Sequence, residues 1–205
     1  LTIDLAGRQT NQRTKQSSIL PVSRAYTQSM TEQQPYTVLS ATDGFELRHY
    51  PAYVLAQVRE PGDFMPAGNR AFQPLVSYIS GNNATGQKIA MTAPVIQSPL
   101  GEADHLVSFV MPADFDFESL PLPMSSRLKL LPVEAHLAAV VRFSGGWNEQ
   151  RFAAKGEELL AAVKSAGLEP IGSVYWARFD PPYKPAFLRR NEALIRVKDT
   201  NEGRK

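Results

Sequence analysis

The sequence predicts an α+β protein of two similar halves, each a sheet covered by one long helix. The predicted elements follow the order strands, helix, strands, and then strands, helix, strands again. The chain has 205 residues, 43% of them hydrophobic, which is enough for one sizeable core. It contains no cysteine, which excludes disulfides, thiolate zinc sites, iron–sulfur clusters and a cysteine nucleophile. This order leaves open whether the strands close into a twisted barrel or form an extended mixed sheet.

Residues 1–35 are predicted to be a poorly ordered N-terminal extension. Residues 1–30 carry four Lys or Arg and a single acid, Asp4, with many Ser, Thr and Gln and no sustained period of 2 or 3.6. This composition fits either an organelle transit remnant or residues upstream of a cytosolic start at Met30, and we favour the cytoplasmic alternative. The globular domain is expected over 36–199, followed by a C-terminal tail at 200–205.

The first strands are predicted just after the extension. "YTVLS" and "GFELRHY" flank Asp43-Gly44, a pair typical of a tight turn, and read as a hairpin. Phe45, Leu47 and His49 alternate onto one face of its second strand. "AYVLAQV" continues as a third strand.

The first helix is predicted from apolar residues at helical spacing. They are Ala71, Phe72, Leu75, Val76 and Ile79. Pro74 lies inside this pattern, so the helix either starts near Gln73 or is kinked. Gly81 supplies the stop, and "QKIAMTAPV" is then expected to be a constrained return from loop to strand, with Pro94 tolerated at a strand start or edge.

The second half repeats this arrangement. "HLVSFVMP", "SRLKLLPV" and "AHLAAVVRF" read as strands bounded by Pro, Gly or charged residues. A second helix follows, with Asn148 as its N-cap, Gly167 just past its end, and one apolar stripe. The stripe consists of Phe152, Leu159, Leu160 and Val163. "SVYWARF" and "EALIRV" supply the last strands.

Charge and motifs exclude several functional classes. The net charge of +2 comes from acids and bases spread along the chain, which is not the footprint of a nucleic-acid-binding protein. No apolar run reaches the roughly 18 to 20 residues of a membrane span, so we expect a soluble protein. No nucleophile elbow, phosphate-binding loop or His-Glu-x-x-His motif is present, so an enzyme is not predicted. Glu102, Asp104 and His105 are acids and a histidine close in sequence, without a metal-site spacing.

Five segments resemble the SOUL/haem-binding protein family in order and approximate spacing. They are "DGFELRHYPAYVLAQV", "FQPLVSYISGNN", "KIAMTAPV", "VRFSGGWNEQRF" and "ARFDPPYKPAFLRRNEALIRV", and together they extend from Tyr36 to Lys198. The resemblance implies a distorted β-barrel, with a mixed but mainly antiparallel sheet, of two pseudo-symmetric halves that each carry one long helix. It also implies binding of haem or a related tetrapyrrole, largely in an apolar groove near the first helix.

The resemblance offers His49 as an axial ligand of a haem iron. In some family members the histidine of the "RHY" stretch is proposed for this role, and a neutral imidazole is an ordinary haem ligand. The alternative is a hydrogen-bonded structural histidine on an apolar strand face. His105 and His136 are expected to be solvated surface residues.

A tetrapyrrole also needs apolar walls and partners for its propionates. The apolar candidates near the first helix are Phe64, Met65, Phe72, Leu75 and Met91. Arg70 and Lys88 are the candidate propionate partners. The alternative for the apolar residues is core packing, and the alternative for the two cations is a solvated position on the surface. Lys184, Arg189, Arg190 and Glu192 are expected to form an ion-pair and turn network that locks the last strand.

Three functions follow as hypotheses. The first is a haem or porphyrin carrier or buffer without chemistry of its own. The second is a sensor or effector-binding module for another flat apolar small molecule. The third, an enzyme acting on a tetrapyrrole, has no acid, base or nucleophile in the sequence to support it.

Overall fold

The computed structural model describes residues 31–199. Residues 1–30 and 200–205 lie outside the described residues, and with them most of the predicted N-terminal extension and the whole predicted C-terminal tail. The described part begins with a short strand at Glu32–Gln33. Neither helix within this part is long and apolar enough to cross a bilayer.

The described residues form eleven strands, two α-helices and one 3-10 turn, at Ala186–Leu188. The helices are α1 (Phe64–Ile79) and α2 (Glu149–Ser165). The strands are β1 (Glu32–Gln33), β2 (Thr37–Ala41), β3 (Glu46–Tyr50), β4 (Tyr53–Pro61), β5 (Thr92–Ala93), β6 (Val95–Leu100), β7 (Asp104–Val110), β8 (Leu128–Val133), β9 (His136–Ser144), β10 (Pro170–Arg178) and β11 (Arg190–Val197).

Nine strands form one sheet in the order β2-β3-β9-β11-β10-β6-β7-β4-β8. Every neighbouring pair in this sheet is antiparallel, and β1 pairs with β5 in a separate parallel ribbon. The two halves exchange strands, because β3 pairs with β9 and β8 pairs with β4. The predicted α+β class, with two helices and a large, mainly antiparallel sheet, is confirmed.

Both helices pack on the same face of the sheet. Cross-strand partners share a face, and the register pairs Trp176 with Gln97 and Gln97 with Val107. Trp176 belongs to the apolar cluster of α2, whereas Val107 belongs to that of α1. Phe64 of α1 also joins the α2 cluster, so one continuous core lies beneath the two helices.

The opposite face is buried because the sheet curls upon itself. The rings of Tyr53 and His136 lie 5.9 Å apart, although their strands are five places apart in the sheet order. A flat sheet would separate those strands by about 24 Å. The edge strands β2 and β8 are not hydrogen-bonded to each other, so the sheet is a curled but open form of the expected distorted barrel.

The first helix is longer than the sequence pattern indicated. A start near Gln73 is wrong, because α1 begins at Phe64 and contains Pro74. Its buried stripe extends back through Ala71 and Ala67, and packing against β4 and β7 offsets the roughly 3 kcal/mol that an internal proline costs.

Candidate functional site

A cavity of about 770 Å³ lies beside α1. Its first wall is a stripe of this helix, formed by Gly68, Asn69, Phe72, Val76 and Ile79. Gly68, Phe72, Val76 and Ile79 recur every three or four residues and Asn69 adjoins Gly68, so the five share one side of the helix. The volume lies within the range of about 300–1,000 Å³ that is usual for small-molecule sites.

The second wall is the run "QKIAMTAPV", which follows α1. The Asn83 side chain fixes the turn that precedes it, donating to the carbonyls of Tyr78 and Gln87 at 3.1 and 2.7 Å. The Ile89 N–H then donates to the Ile79 carbonyl at 2.8 Å, which brings the chain back along the helix end. Ile89 and Met91 line the cavity as a result. The predicted return from loop to strand is therefore confirmed.

The third wall is the loop that follows β10, with Pro181, Pro182 and Tyr183 on the cavity side. Asp180 ties the loop down, because its carboxylate accepts from Lys184 Nζ and from the Arg190 N–H, each at 2.6 Å. Burial raises the pKa of Asp180, but these hydrogen bonds outweigh that effect and leave the pKa below its usual value.

A second anchor of this loop is Arg189. Its guanidinium donates to the Lys184 carbonyl at 2.8 Å and to the Pro182 carbonyl. Arg190 pairs with Glu192 at 2.7 Å. The predicted ion-pair and turn network around the last strand is confirmed.

The inner end of the cavity contains a buried arginine, Arg178, which is 7% exposed. Its Nη2 donates to Gln97 Oε1 at 3.0 Å, and Gln97 in turn donates to the Phe64 carbonyl at 2.7 Å. Among residues 31–199 no carboxylate forms a salt bridge with Arg178. Burial without a counter-charge lowers the pKa of Arg178 to about 10.

Trp147 forms the side of this inner end. The Cζ atom of Arg178 lies 5.1 Å from the Trp147 ring centroid, within cation–π range. The indole is held in place because its Nε1 donates to Asn191 Oδ1 at 3.2 Å, and Asn191 donates to the Gly145 carbonyl at 3.1 Å. Arg178 therefore sits against a fixed aromatic face.

The electrostatics of the cavity are dominated by one cation. Arg178 and Asp180 are the two charged residues among its described lining. Asp180 is neutralised by Lys184 and by a backbone N–H, whereas Arg178 has a neutral amide and aromatic rings around it. The rest of the lining is mainly apolar. The arrangement can enclose a large apolar molecule and offers positive charge at its inner end.

Two of the eight predicted site residues line the cavity, Phe72 and Met91. Both are also partly exposed at its rim, at 44% and 37%. The other residues near α1 lie elsewhere. Phe64 and Leu75 are buried in the core, Met65 packs with the α2 cluster, Arg70 bonds to Glu60 and to the Pro61 carbonyl, and Lys88 is exposed.

His49 is not part of this cavity. It is half-buried on β3 and pairs with Leu137, which pairs in turn with Val197. Arg178 pairs with Asn191 of the same strand β11, six residues from Val197. Six residues of strand span about 20 Å, so His49 and the cavity are two separate candidate positions for a macrocycle.

The expectation that His105 and His136 are solvated is wrong. Each ring is half-buried, and His105 Nδ1 and His136 Nε2 are sealed from solvent without a hydrogen-bond partner among the described residues. Burial lowers the pKa of both histidines. His105 packs edge-on against Phe64, with ring centroids 5.6 Å apart. Within residues 31–199 no group of three histidine or acidic side chains could hold a metal ion.

Arg178 and Trp147 line the cavity but were not among the residues predicted from the sequence. One signal was present, because Arg178 alternates with Trp176 on a strand and so places a charge on an apolar face. Nothing local indicated that Trp147, which follows Gly145 and Gly146, would meet it.

The sequence is similar to characterised proteins over most of its length. A family model described as "SOUL heme-binding protein" matches residues 31–196. Heme-binding protein 2 of Homo sapiens is 31% identical over 163 residues, which cover 73% of this chain and 76% of that protein. Heme-binding protein 1 of Bos taurus is 26% identical over 131 residues, 61% of this chain and 68% of that protein.

Solved structures share the fold at low sequence identity. The C-terminal domain of EcmrR superposes with a TM-score of 0.60 at 14% identity, covering 80% of this chain and 98% of that domain. A hydrolase encoded by lin2189 of Listeria innocua gives a TM-score of 0.52 at 16% identity, covering 78% and 94%. At these identities the likeness concerns the fold alone.

Proposed function

The chain belongs to the SOUL heme-binding protein family, and from this premise we propose that it binds haem or a related tetrapyrrole in the cavity beside α1. Its role is that of a carrier or buffer, which holds the macrocycle without changing it. The two relatives reported above are named for haem binding, and the proposal extends that property to this chain.

The observation that carries the proposal is the cavity itself. Phe72 and Val76 of α1 line, together with Met91 and Val95, a space of about 770 Å³, which suits a large apolar ring. Met91 contributes a polarisable thioether that adapts to a flat surface. The residues present therefore fit a tetrapyrrole, which when bound would supply the iron and its spectroscopic signature.

A holding role is supported by the chemistry of the walls. The one carboxylate among the described lining residues, Asp180, is already hydrogen-bonded to Lys184 and to the Arg190 backbone. Arg178 is a donor with a pKa too high to act as a base near neutral pH. Asp180 is engaged in contacts that hold the loop, and Arg178 has a neutral amide as its hydrogen-bond partner among the described residues.

The test is a haemin titration followed by absorbance on the full chain and on three variants. Val76→Phe adds a ring to the α1 wall of the cavity, and its matched control, Val38→Phe, makes the same change at a residue 46% exposed on β2. His49→Ala removes the other candidate position. We expect a saturable one-to-one Soret shift in the parent, weakened about tenfold or more by Val76→Phe and kept by Val38→Phe and His49→Ala.

Three results would overturn parts of this proposal. A featureless titration of the parent at micromolar protein would exclude the haem function. Binding that survives Val76→Phe but is lost in His49→Ala would move the macrocycle to β3. Apolar dyes that bind as tightly as haemin would favour an effector-binding module instead.

A further inference from the structure

Arg178 is a buried cation that the described protein does not neutralise. Its side chain has five N–H donors, and one of them donates to a protein acceptor in the described part, Gln97 Oε1. The sealed, unpartnered side-chain atoms among the described residues are His105 Nδ1 and His136 Nε2. Arg178 Nε and Nη1 are not among them, and the residue lines the cavity, so these two atoms retain access to solvent there.

The packing keeps the guanidinium available at this position. Gly68 of α1 is essential to it, because a Cβ on that residue would lie 2.7 Å from Gln97 Oε1 and 2.9 Å from Arg178 Nη2. The Trp147 and Phe64 rings lie 5.1 and 6.0 Å from the Arg178 Cζ atom. Aromatic faces attract a cation without using its N–H groups, so the two rings orient the Arg178 guanidinium and do not occupy its donors.

An unpaired buried charge is expensive, so a ligand that supplies the counter-charge would relieve a cost that the free protein bears. The other buried arginine shows the contrast, since Arg48 forms a bidentate pair with Glu192 at 2.9 and 3.2 Å. A planar guanidinium with free donors matches a carboxylate in the same bidentate way.

We propose that the cavity selects carboxylate-bearing ligands and that one carboxylate points inward, onto Arg178. This inference rests on the proposed function and specifies the ligand class and its orientation. The two propionate partners predicted from the sequence, Arg70 and Lys88, offer a weaker alternative. Arg70 is engaged by Glu60 and the Pro61 carbonyl, and Lys88 is solvent-exposed, so a carboxylate held there would be screened by water.

The test compares protoporphyrin IX with its dimethyl ester by fluorescence titration, since the two differ only in their carboxylates. We expect the parent chain to bind the diacid about tenfold or more tightly than the diester, because a charge-assisted hydrogen bond to a buried group is lost in the ester. Arg178→Met should reduce this ratio to about one by weakening diacid binding. Arg59→Gln, which alters a cation 67% exposed on β4, is the matched control and should keep the ratio.

The outcomes separate this inference from the proposed function. Equal affinity of the parent for the two porphyrins overturns the inward carboxylate and leaves tetrapyrrole binding intact. A preference that persists in Arg178→Met but falls in Arg70→Gln or Lys88→Gln overturns it and assigns the carboxylate to the substituted cation. No binding of either porphyrin removes the proposed function and the inference with it.

Thermal unfolding of the ligand-free chain gives a second readout. Arg178→Met removes an unpaired buried charge but also leaves the buried Gln97 Oε1 without its donor, so the two effects oppose each other and the variant should unfold within about 5 °C of the parent. A clear fall in its unfolding temperature would instead assign Arg178 a structural role and contradict the inference.

Discussion

Gly68 lies so close to Arg178 that a methyl group built on it would be 2.9 Å from the arginine Nη2. This closeness lets α1 approach the sheet above Arg178. The absence of a side chain at one helix position thus determines the shape of the inner end of the cavity.

Gly68→Ala should therefore weaken haemin binding about tenfold, because the added methyl displaces Arg178 and Gln97. Alanine would favour the helix by up to about 1 kcal/mol, but the overlap with two polar groups outweighs this gain. Gly156→Ala in α2 is the control, since its closest contact is Val174 Cγ1 at 3.2 Å, which does not line the cavity. Parent-like affinity of Gly68→Ala in absorbance titrations would show that the close approach is not required.

The second prediction concerns Asp180→Ala, a change in the loop after β10 that forms the third wall of the cavity. Removing the carboxylate frees Lys184 and the Arg190 N–H, so we expect a loss of about 2 kcal/mol in the free energy of unfolding. Haemin affinity should fall as well, because Pro181, Pro182 and Tyr183 are no longer held at the cavity. Urea unfolding and haemin titration measure the two effects, with the exposed Asp114→Ala as control. A stability loss without any change in affinity would exclude this loop from the binding site.

The fold was largely predictable because its signals are local. The hairpin at Asp43-Gly44 depends on a few neighbouring residues, as does the Asn148 cap, which accepts from the Arg151 N–H at 3.0 Å. Gly167, just past α2, adopts the predicted left-handed backbone at φ 73°. Strand order was not predictable in this way, since the pairing of β3 with β9 joins segments far apart in the chain.

The candidate site was only partly predictable, because some of its residues come together only through strand pairing. Phe72 and Met91 lie on or directly after the helix that carries the cavity, so position in the sequence was enough to select them. Arg178 reaches the cavity through its register with Val95, which no local pattern encodes. The alternating pattern placed His49 on the correct face of the sheet. Its separation from the cavity along the strands follows from strand pairing alone.

A third prediction concerns the buried ion pair between Arg48 and Glu192. The Glu192 side chain is 0% exposed and is held by Arg48 and Arg190 at 2.9 and 2.7 Å. Burial disfavours the charge on Arg48, but the hydrogen bond and the charge of Glu192 outweigh it and raise the pKa of Arg48. Arg48→Met should lower the free energy of unfolding by about 3 kcal/mol, because a buried carboxylate loses one of its two partners.

Urea unfolding of Arg48→Met is compared with that of Arg59→Gln. The latter breaks a pair with Asp104 in which the arginine is 67% exposed, and it should cost less than about 1 kcal/mol. Similar losses of unfolding free energy in the two variants would show that the buried Arg48–Glu192 pair stabilises the fold no more than an exposed pair does.

A final prediction concerns acid stability and His136. Its Nδ1 lies 2.9 Å from the Glu134 carbonyl and donates to it, whereas Nε2 is sealed from solvent and the ring packs near Tyr50 and Tyr53. Burial is the main cause that lowers its pKa, and the nearby charge of Arg196 acts in the same direction. The unfolded chain therefore takes up this proton more readily than the folded one. The stabilisation is present above the unfolded pKa, about 6.5, and is lost as the pH falls through the folded value.

His136→Phe removes the titrating group and keeps a ring stacked near Tyr50. Urea unfolding at pH 7.5 and 5.5 should show that the parent loses more stability on acidification than the variant does. The half-buried His105, whose pKa is also lowered, is present in both proteins, so the difference between the two losses isolates His136. Equal losses of unfolding free energy would mean that protonating the His136 imidazole costs the folded state nothing, and that Nε2 becomes accessible to solvent at low pH.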